Sequence, residues 1–360
     1  MNTIKKSLLF ACITMLFVTC TNNPADKVRK ISKFPIDKTI TGEHIPFDNP
    51  PLCADYVTIV DTFIIIKDMQ FCSSYIFHVY NKNTYKFINS FGTKGNGPNE
   101  FLKPKPTGQF EINKSFAGMW IYDFHKLKYK FINLSRTIAE QRTIIEKEFT
   151  APKATDVGLD VFILKNNDLI GTSMSPEGRL FYFDSRENTT RWIDYFPEVP
   201  YPPVKEKQMH NLYVSATKIS PDEKYIVSAL RLFKRIDVFN DKLECLFSLT
   251  FNDSPGEPDF YRNKNNPVPG GLVHYYTDLY LSEKYIYALN SQITQEQLSK
   301  DTDTGYSEVQ VFKYDGTPVA SYKLDHFIGS FTIDEDNGYI LGVTMPTDDL
   351  SSPFFRYKML

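Results

Sequence analysis

Three glycines, Gly92, Gly95 and Gly97, stand close together in SFGTKGNGPNEFLKP, residues 90–104. Such a loop can offer its backbone N–H groups to a phosphate when a helix follows and a Gly-Lys-Ser/Thr ending supplies the cation and hydroxyl. Here Lys94 precedes Gly95, Asn96 follows it, and Pro98, Pro104 and Pro106 break any helix beyond. The glycines therefore read as turn-makers in a connector. Two runs with D-x-D-x-G spacing, DTDTG at 301–305 and DEDNG at 334–338, place alternate carboxylates where a calcium loop needs them. Neither is followed by a glutamate at EF-hand distance, and Asp-Asn-Gly also makes a hairpin turn. Turns are expected, with no cofactor unless calcium sits at one of them.

The six histidines, His44, His78, His125, His210, His274 and His326, show neither HxH nor HExxH spacing, and no cysteines stand at zinc-ligand spacing. His78 lies in a strand pattern and is expected to pack; His125 falls in a turn and is expected at the surface. His210 and His274 end two long polar segments, YFPEVPYPPVKEKQMHNLY and FNDSPGEPDFYRNKNNPVPGGLVHYY. Connections of that length tend to be functional or disordered. No GxSxG or comparable nucleophile motif is present. Carboxylate pairs for glycoside hydrolysis stay open, since their members are neighbours in space rather than in sequence.

Strands must position these residues. Of 360 residues 15% are aromatic, including 29 Phe and 22 Tyr, and 22 prolines leave little room for long helices. A net charge of −2 gives no electrostatic footprint for nucleic acid. The start differs in kind. Lys5 and Lys6 precede the apolar run Ser7–Thr19, whose 13 residues are too few for a bilayer core needing about 20. Residues 1–19 therefore read as a signal peptide. Residues 20–40 read as a polar tether and 41–360 as the folded domain.

Phe17-Val18-Thr19-Cys20 resembles a bacterial lipobox, with Phe17 and Thr19 in place of the usual Leu and a smaller residue. The resemblance implies lipid on Cys20, hence an outer-membrane lipoprotein of the cell envelope; a plain secretory signal is the alternative. Loss of Lys5 and Lys6 leaves 39 basic and 43 acidic residues, a mature charge of −4. Cys12 leaves with the signal, so Cys53, Cys72 and Cys245 remain. Cys53 and Cys72 are close enough to pair across a hairpin, or stay isolated thiols.

From about residue 45 a unit repeats: DTFIIIKD, AGMWIYDF, NNDLIGTS, DEKYIVSA, SEKYIYAL and DNGYILGV, anchored on Phe63, Trp120, Leu169, Tyr225, Tyr285 and Tyr339. The anchors are 57, 49, 56, 60 and 54 residues apart. Each unit also holds a downstream hairpin with Asn-Lys, Asn-Asp or Asp-Gly at its turn, as in RIDVFNDKLECLFSLTF. Two hairpins make a four-stranded antiparallel sheet, and six such sheets around an axis make an all-β, six-bladed β-propeller. GEHIPFDNP, residues 42–50, is expected to add the strand that the last blade lacks and to lock the ring.

FGTKGNGPNEFLKP, followed by MWIYDFHKLKYKFI, resembles the connector and blade of NHL-type propeller repeats, with Phe91 and Phe101 wedged between sheets. ISPDEKYIVSA, residues 219–229, resembles the TolB and YVTN-type blade. Together with the lipobox, these are similar to the TolB-like six-bladed propeller lipoproteins of Bacteroidetes. That group brings no catalytic residues to carry over. On a propeller the two long segments gather at one face, where His210, Asn211, Arg231, Lys234, Arg262, His274 and Tyr275 become the candidate ligand face. The reading favours a binding or scaffold module for a protein, peptide or glycan, held to the membrane by its N-terminal lipid. A propeller hydrolase, lyase or metal-dependent lactonase, with its site at the central channel, is the alternative.

Overall fold

The computed structural model describes residues 27–51, 53–69, 72–155, 158–175, 177–193, 195–196, 213–251, 273–294, 297, 307–344 and 353–359. These form six antiparallel sheets. Blade 1 runs through Ala54–Val60, Phe63–Asp68, Tyr75–Asn81 and Phe87–Lys94. Blade 2 comprises Pro104–Asn113, Phe116–Asp123, Lys128–Asn133 and Ile145–Thr150. Blade 3 comprises Gly158–Ile163, Leu169–Ser173, Leu180–Asp184 and Thr189–Ile193. Blade 4 comprises Ser215–Ile219, Tyr225–Leu230, Arg235–Asn240 and Cys245–Phe251. Blade 5 comprises Val273–Leu281, Tyr285–Thr294, Ser307–Lys313 and Pro318–Leu324. Blade 6 has Ile328–Asp334, Tyr339–Thr344 and Phe354–Lys358, with Glu43–His44 as its fourth strand. All six repeat anchors fall in the second strand of their blades, because each marks the return strand of the inner hairpin.

Side chains alternate across each sheet, so every blade shows an apolar face to both neighbours. Phe77, Phe91 and Phe101 of blade 1 and its connector pack on Met119 and Ile121 of blade 2. Equivalent clusters fill the joints between the other neighbouring blades, including Val57 and Tyr80 against Leu341 and Phe354 where blade 6 meets blade 1. One helix, Leu134–Glu140, interrupts blade 2; Asn133 caps it by accepting from the Arg136 N–H at 2.9 Å.

The ring closes as expected from residues 42–50. His44 pairs with Phe355 and Glu43 with Arg356, and the Arg356 guanidinium donates to the Glu43 carboxylate at 3.0 Å. The tether expected to reach residue 40 is corrected from residue 27 onward. Val28–Ile31 runs parallel to the outer strand of blade 4, and Ile36–Ile40 runs parallel to that of blade 5. The physical reason is that each outer strand leaves a row of unpaired N–H and C=O groups. A passing chain, polar outside yet carrying Ile31 and Ile36, satisfies them.

The glycine-rich stretch joins the outer strand of blade 1 to the inner strand of blade 2. Its polarity is the reverse of a phosphate cradle. The Lys126 ammonium donates to the carbonyls of Gly97 and Glu100 at 2.9 and 2.8 Å, and that of Lys130 to Pro98 and Glu100 at 2.8 and 2.9 Å. Loop carbonyls converge here on two ammonium groups. Asp123 fixes the far end by accepting from the N–H groups of Leu102 and Lys103. Gly97 does not need a positive φ; its N–H donates to the Glu100 carboxylate at 2.7 Å. Gly92 does, at φ 74°, and a Cβ there would lie 3.0 Å from Phe77 and 3.1 Å from Phe101.

Cys53 and Cys72 form a disulfide that pins the approach to blade 1 against the loop after its second strand; Cys245 is free. Gly92→Ala is expected to lower stability by about 2 kcal/mol, since the left-handed conformation costs a Cβ-bearing residue roughly 1–2 kcal/mol and the two phenyl rings are already in contact. Urea unfolding beside wild type measures this.

Candidate functional site

The first strand of every blade lines the axis, and between them lies a cavity of about 780 Å³. Each blade contributes: Tyr56, Gln109, Ile163, Lys218, Asp278 and Phe331 come from blades 1 to 6 in turn. A hexamer of twisted sheets leaves this space because its inner strands are held apart by the joints between blades, not by side chains meeting on the axis. Toward the hairpins that join first and second strands, Ile112, Asn167, Glu223, Glu283 and Glu335 line the cavity.

Its wall mixes aromatic and charged groups. Trp120, Phe110 and Phe149 make an apolar side on blade 2, faced by Tyr280 and Phe331. Deeper in, Asp278 clasps blade 5 to blade 6. Its carboxylate accepts from the Ser330 hydroxyl at 3.0 Å, the Phe331 N–H at 3.3 Å and the Leu279 N–H at 2.9 Å. Burial nonetheless pushes the Asp278 carboxyl above the ordinary range, outweighing those donors and the nearby Lys218. Lys218 reaches across from blade 4 with its ammonium 6.0 Å from the Tyr56 ring, and among the described residues that ammonium makes no hydrogen bond or ion pair. Such a wall can stack an apolar or sugar face and offer both donors and acceptors to polar edges.

The candidate ligand face lies at the other end of the inner strands and comes together only in part. Arg231 is exposed in the turn after the second strand of blade 4, with His274 nearby at the start of blade 5. Burial, then the Arg231 charge, lowers the His274 pKa, so the imidazole is neutral at pH 7. Asp160, ion-paired with Lys105, completes that mouth and accepts from the Thr217 N–H at 3.2 Å. Lys234 and Tyr275 are corrected: both are buried, Lys234 with its ammonium 5.2 Å from the Phe251 ring and Tyr275 in the joint between blades 4 and 5. Lys234 lies in the bend before the third strand of blade 4, and Tyr275 sits where the first strand of blade 5 shifts register. His210, Asn211 and Arg262 lie outside the described residues, as do Cys20 and DTDTG at 301–305. Sequence reasoning missed the cavity wall, whose residues share no motif and meet only because one comes from each blade.

DEDNG is the inner hairpin turn of blade 6. Asp334 and Asp336 converge on the Lys82 ammonium of blade 1, at 3.6 and 2.7 Å. Among the described residues no group of three or more His, Cys, Asp or Glu side chains is placed to hold a metal. His125 is exposed, as its turn implies, and His78 is packed within blade 1. The His78 setting was not anticipated. Its Nδ1 lies 2.9 Å from the Ser90 hydroxyl and its Nε2 3.9 Å from the buried Asp68 carboxylate. These three meet across neighbouring strands in the sheet, away from the cavity, which is why no linear motif announces them. A second buried charge cluster joins blades 3 and 4. Asp237 accepts from Arg179 at 2.7 Å and from Arg235 at 2.6 Å. Burial alone would raise the Asp237 pKa; the two guanidiniums reverse this and hold it low.

A family model described as TolB-like, 6-blade propeller-like, matches residues 56–336. Among solved structures, a DUF4221-family member from Bacteroides vulgatus is 12% identical with a TM-score of 0.59, over 88% of this chain and 96% of its own. A protein of Bacteroides fragilis assigned to export is also 12% identical, with a TM-score of 0.53 over 91% of this chain and 99% of its own. No curated protein matches the sequence.

The Asp68 carboxyl, pushed up to about 6 chiefly by burial, makes stability depend on pH. A folded-state pKa above the unfolded one means that the folded chain holds the extra proton. Its contribution is thus present in acid and is lost as pH rises from about 4 to 6. Asp68→Asn keeps an oxygen for the Cys53 N–H and removes this titration. The variant should gain on wild type across that window, by at most about 3 kcal/mol. Parallel chemical unfolding at pH 4 and pH 7 reads the difference.

Proposed function

Because the chain belongs to the family of TolB-like six-blade propellers, we propose that it is an exported, lipid-anchored binding module of the cell envelope. Its ligand, a segment of protein, peptide or glycan, enters the axial cavity. The observation that carries this reading is the cavity itself: about 780 Å³, walled by all six blades, part aromatic and part charged. Sites for small ligands and peptide segments have that size and mixture. Export is supported by the Cys53–Cys72 disulfide, which belongs to an oxidising compartment. It is supported too by the apolar start of the sequence and by the neighbour from Bacteroides fragilis assigned to export. Among the described residues no helix is long and apolar enough to cross a membrane. Cys20 carries the lipid in this reading. Arg231 and His274, at the opposite mouth, are a second contact zone for ligand leaving the channel.

Two results are expected. Mass spectrometry of the protein from its native membrane finds Cys20 acylated at the mature N-terminus, and an unmodified cysteine there removes the anchor. Ile112→Trp with Lys165→Trp, both at exposed positions on the cavity rim, narrows the mouth without touching the blade joints. The double variant should retain wild-type melting but recover at least tenfold less ligand from envelope extracts. Equal recovery would place the binding surface elsewhere.

A further inference from the structure

The strand that corrects the tether also carries charge. Residues 27–38, KVRKISKFPIDK, hold Lys27, Arg29, Lys30, Lys33 and Lys38 against the single acid Asp37. That net +4 belongs to a mature chain whose total is −4. The tertiary structure fixes it along one outer edge, over blades 4 and 5. Lys27 and Arg29 are used in holding the edge down. The first donates to the Cys245 carbonyl at 2.7 Å; the second donates to the Asp315 carbonyl and lies 4.1 Å over the Phe247 ring. Asp37 pairs with Lys323. Lys30, Lys33 and Lys38 are exposed, and among the described residues their ammonium groups have neither hydrogen bond nor ion pair. Two of the six exposed large apolar side chains among the described residues, Val28 and Leu246, sit on this same edge.

Position adds to charge. Six residues separate Cys20 from Lys27, so the seven steps between them reach at most about 25 Å when fully extended. Acyl chains on Cys20 would therefore keep this edge close to the bilayer, where a swinging tether of twenty residues would not. We propose that the outer edge of blades 4 and 5 is a membrane-contact surface, with Lys30, Lys33 and Lys38 facing anionic lipid headgroups and Val28 and Leu246 resting at the interface. This rests on the lipid-anchor reading for its reason to exist, yet its chemistry is independent of the lipid. The edge starts at the hairpin side of the ring, where Arg29 meets the Asp315 turn, and hairpin residues of that side line the axial cavity.

The test uses the full mature chain carrying Cys20→Ser, so that no acyl chain contributes. It is sedimented with phosphatidylcholine vesicles, with and without phosphatidylglycerol, at low and high salt. Each lysine near an anionic surface contributes about fivefold to partitioning. Binding should therefore require phosphatidylglycerol, fall steeply with salt, and drop by on the order of 100-fold in Lys30→Glu, Lys33→Glu, Lys38→Glu. A control of equal charge change on the far blades, Lys94→Glu, Lys114→Glu, Lys153→Glu, should bind like the parent, and all variants should melt alike. Equal binding to both vesicle types, no binding at low salt, or an unaffected edge variant would overturn the proposal. Acylation of Cys20 is read separately by mass spectrometry on wild type, so a failure of the edge and a failure of the anchor give different results.

Discussion

A ring of sheets has to be closed, and the two residue pairs that bring Glu43 and His44 beside Arg356 and Phe355 do this here. Without them blade 6 would have three strands and an open edge, and its joint with blade 1 would depend on side-chain packing alone. The backbone pairing ties residues more than 300 positions apart, as the Glu43–Arg356 ion pair shows. Phe47 continues the seam, with its ring 4.7 Å from that of Tyr80 and 5.0 Å from that of Phe354. Because each blade buries both faces against neighbours, an opening at this seam would leave two apolar faces in water. The axial cavity exists only while the seam holds.

The same logic explains where polar groups are buried. At the joints they are paired: Asp237 between two arginines, Asp123 under two backbone N–H groups, and Lys130 on two loop carbonyls and 4.7 Å over the Phe101 ring. A buried charge costs several kcal/mol unless partnered, so these clusters fix the register of one blade against the next. The channel wall differs. There, among the described residues, the Lys218 ammonium has no hydrogen bond or ion pair, and burial raises the Asp278 pKa. Charged groups beside aromatic faces separate the cavity from the joints, and this is why the proposed ligand is placed in the cavity rather than at the charge clusters.

The N-terminal segment does two jobs with one run of residues. Its isoleucines and its backbone cover the outer edges of blades 4 and 5, removing two templates for association between chains. Its lysines point outward along the same line. In the proposed arrangement, a chain that becomes an edge strand so soon after a lipidated Cys20 cannot act as a loose stalk, and anchor and fold would move as one unit.

Much of this was readable from residue order alone. Six anchors at near-constant spacing, with turn residues between apolar runs, encode hairpins locally, so blade number, strand type and the closing role of residues 42–50 follow from short-range pattern. The glycine-rich connector could be told from a phosphate loop because prolines forbid the helix a phosphate would need. What the sequence could not determine was which side chains meet. The Cys53–Cys72 pairing, the Asp68–His78–Ser90 contact, the inward turn of Lys234 and Tyr275, and the cavity wall all join residues from different strands or blades. Their distances depend on how sheets twist and pack, not on spacing along the chain. The edge strands at 28–31 and 36–40 escaped the reading for the same reason: a polar segment becomes a strand only when a sheet with unsatisfied backbone groups lies alongside it.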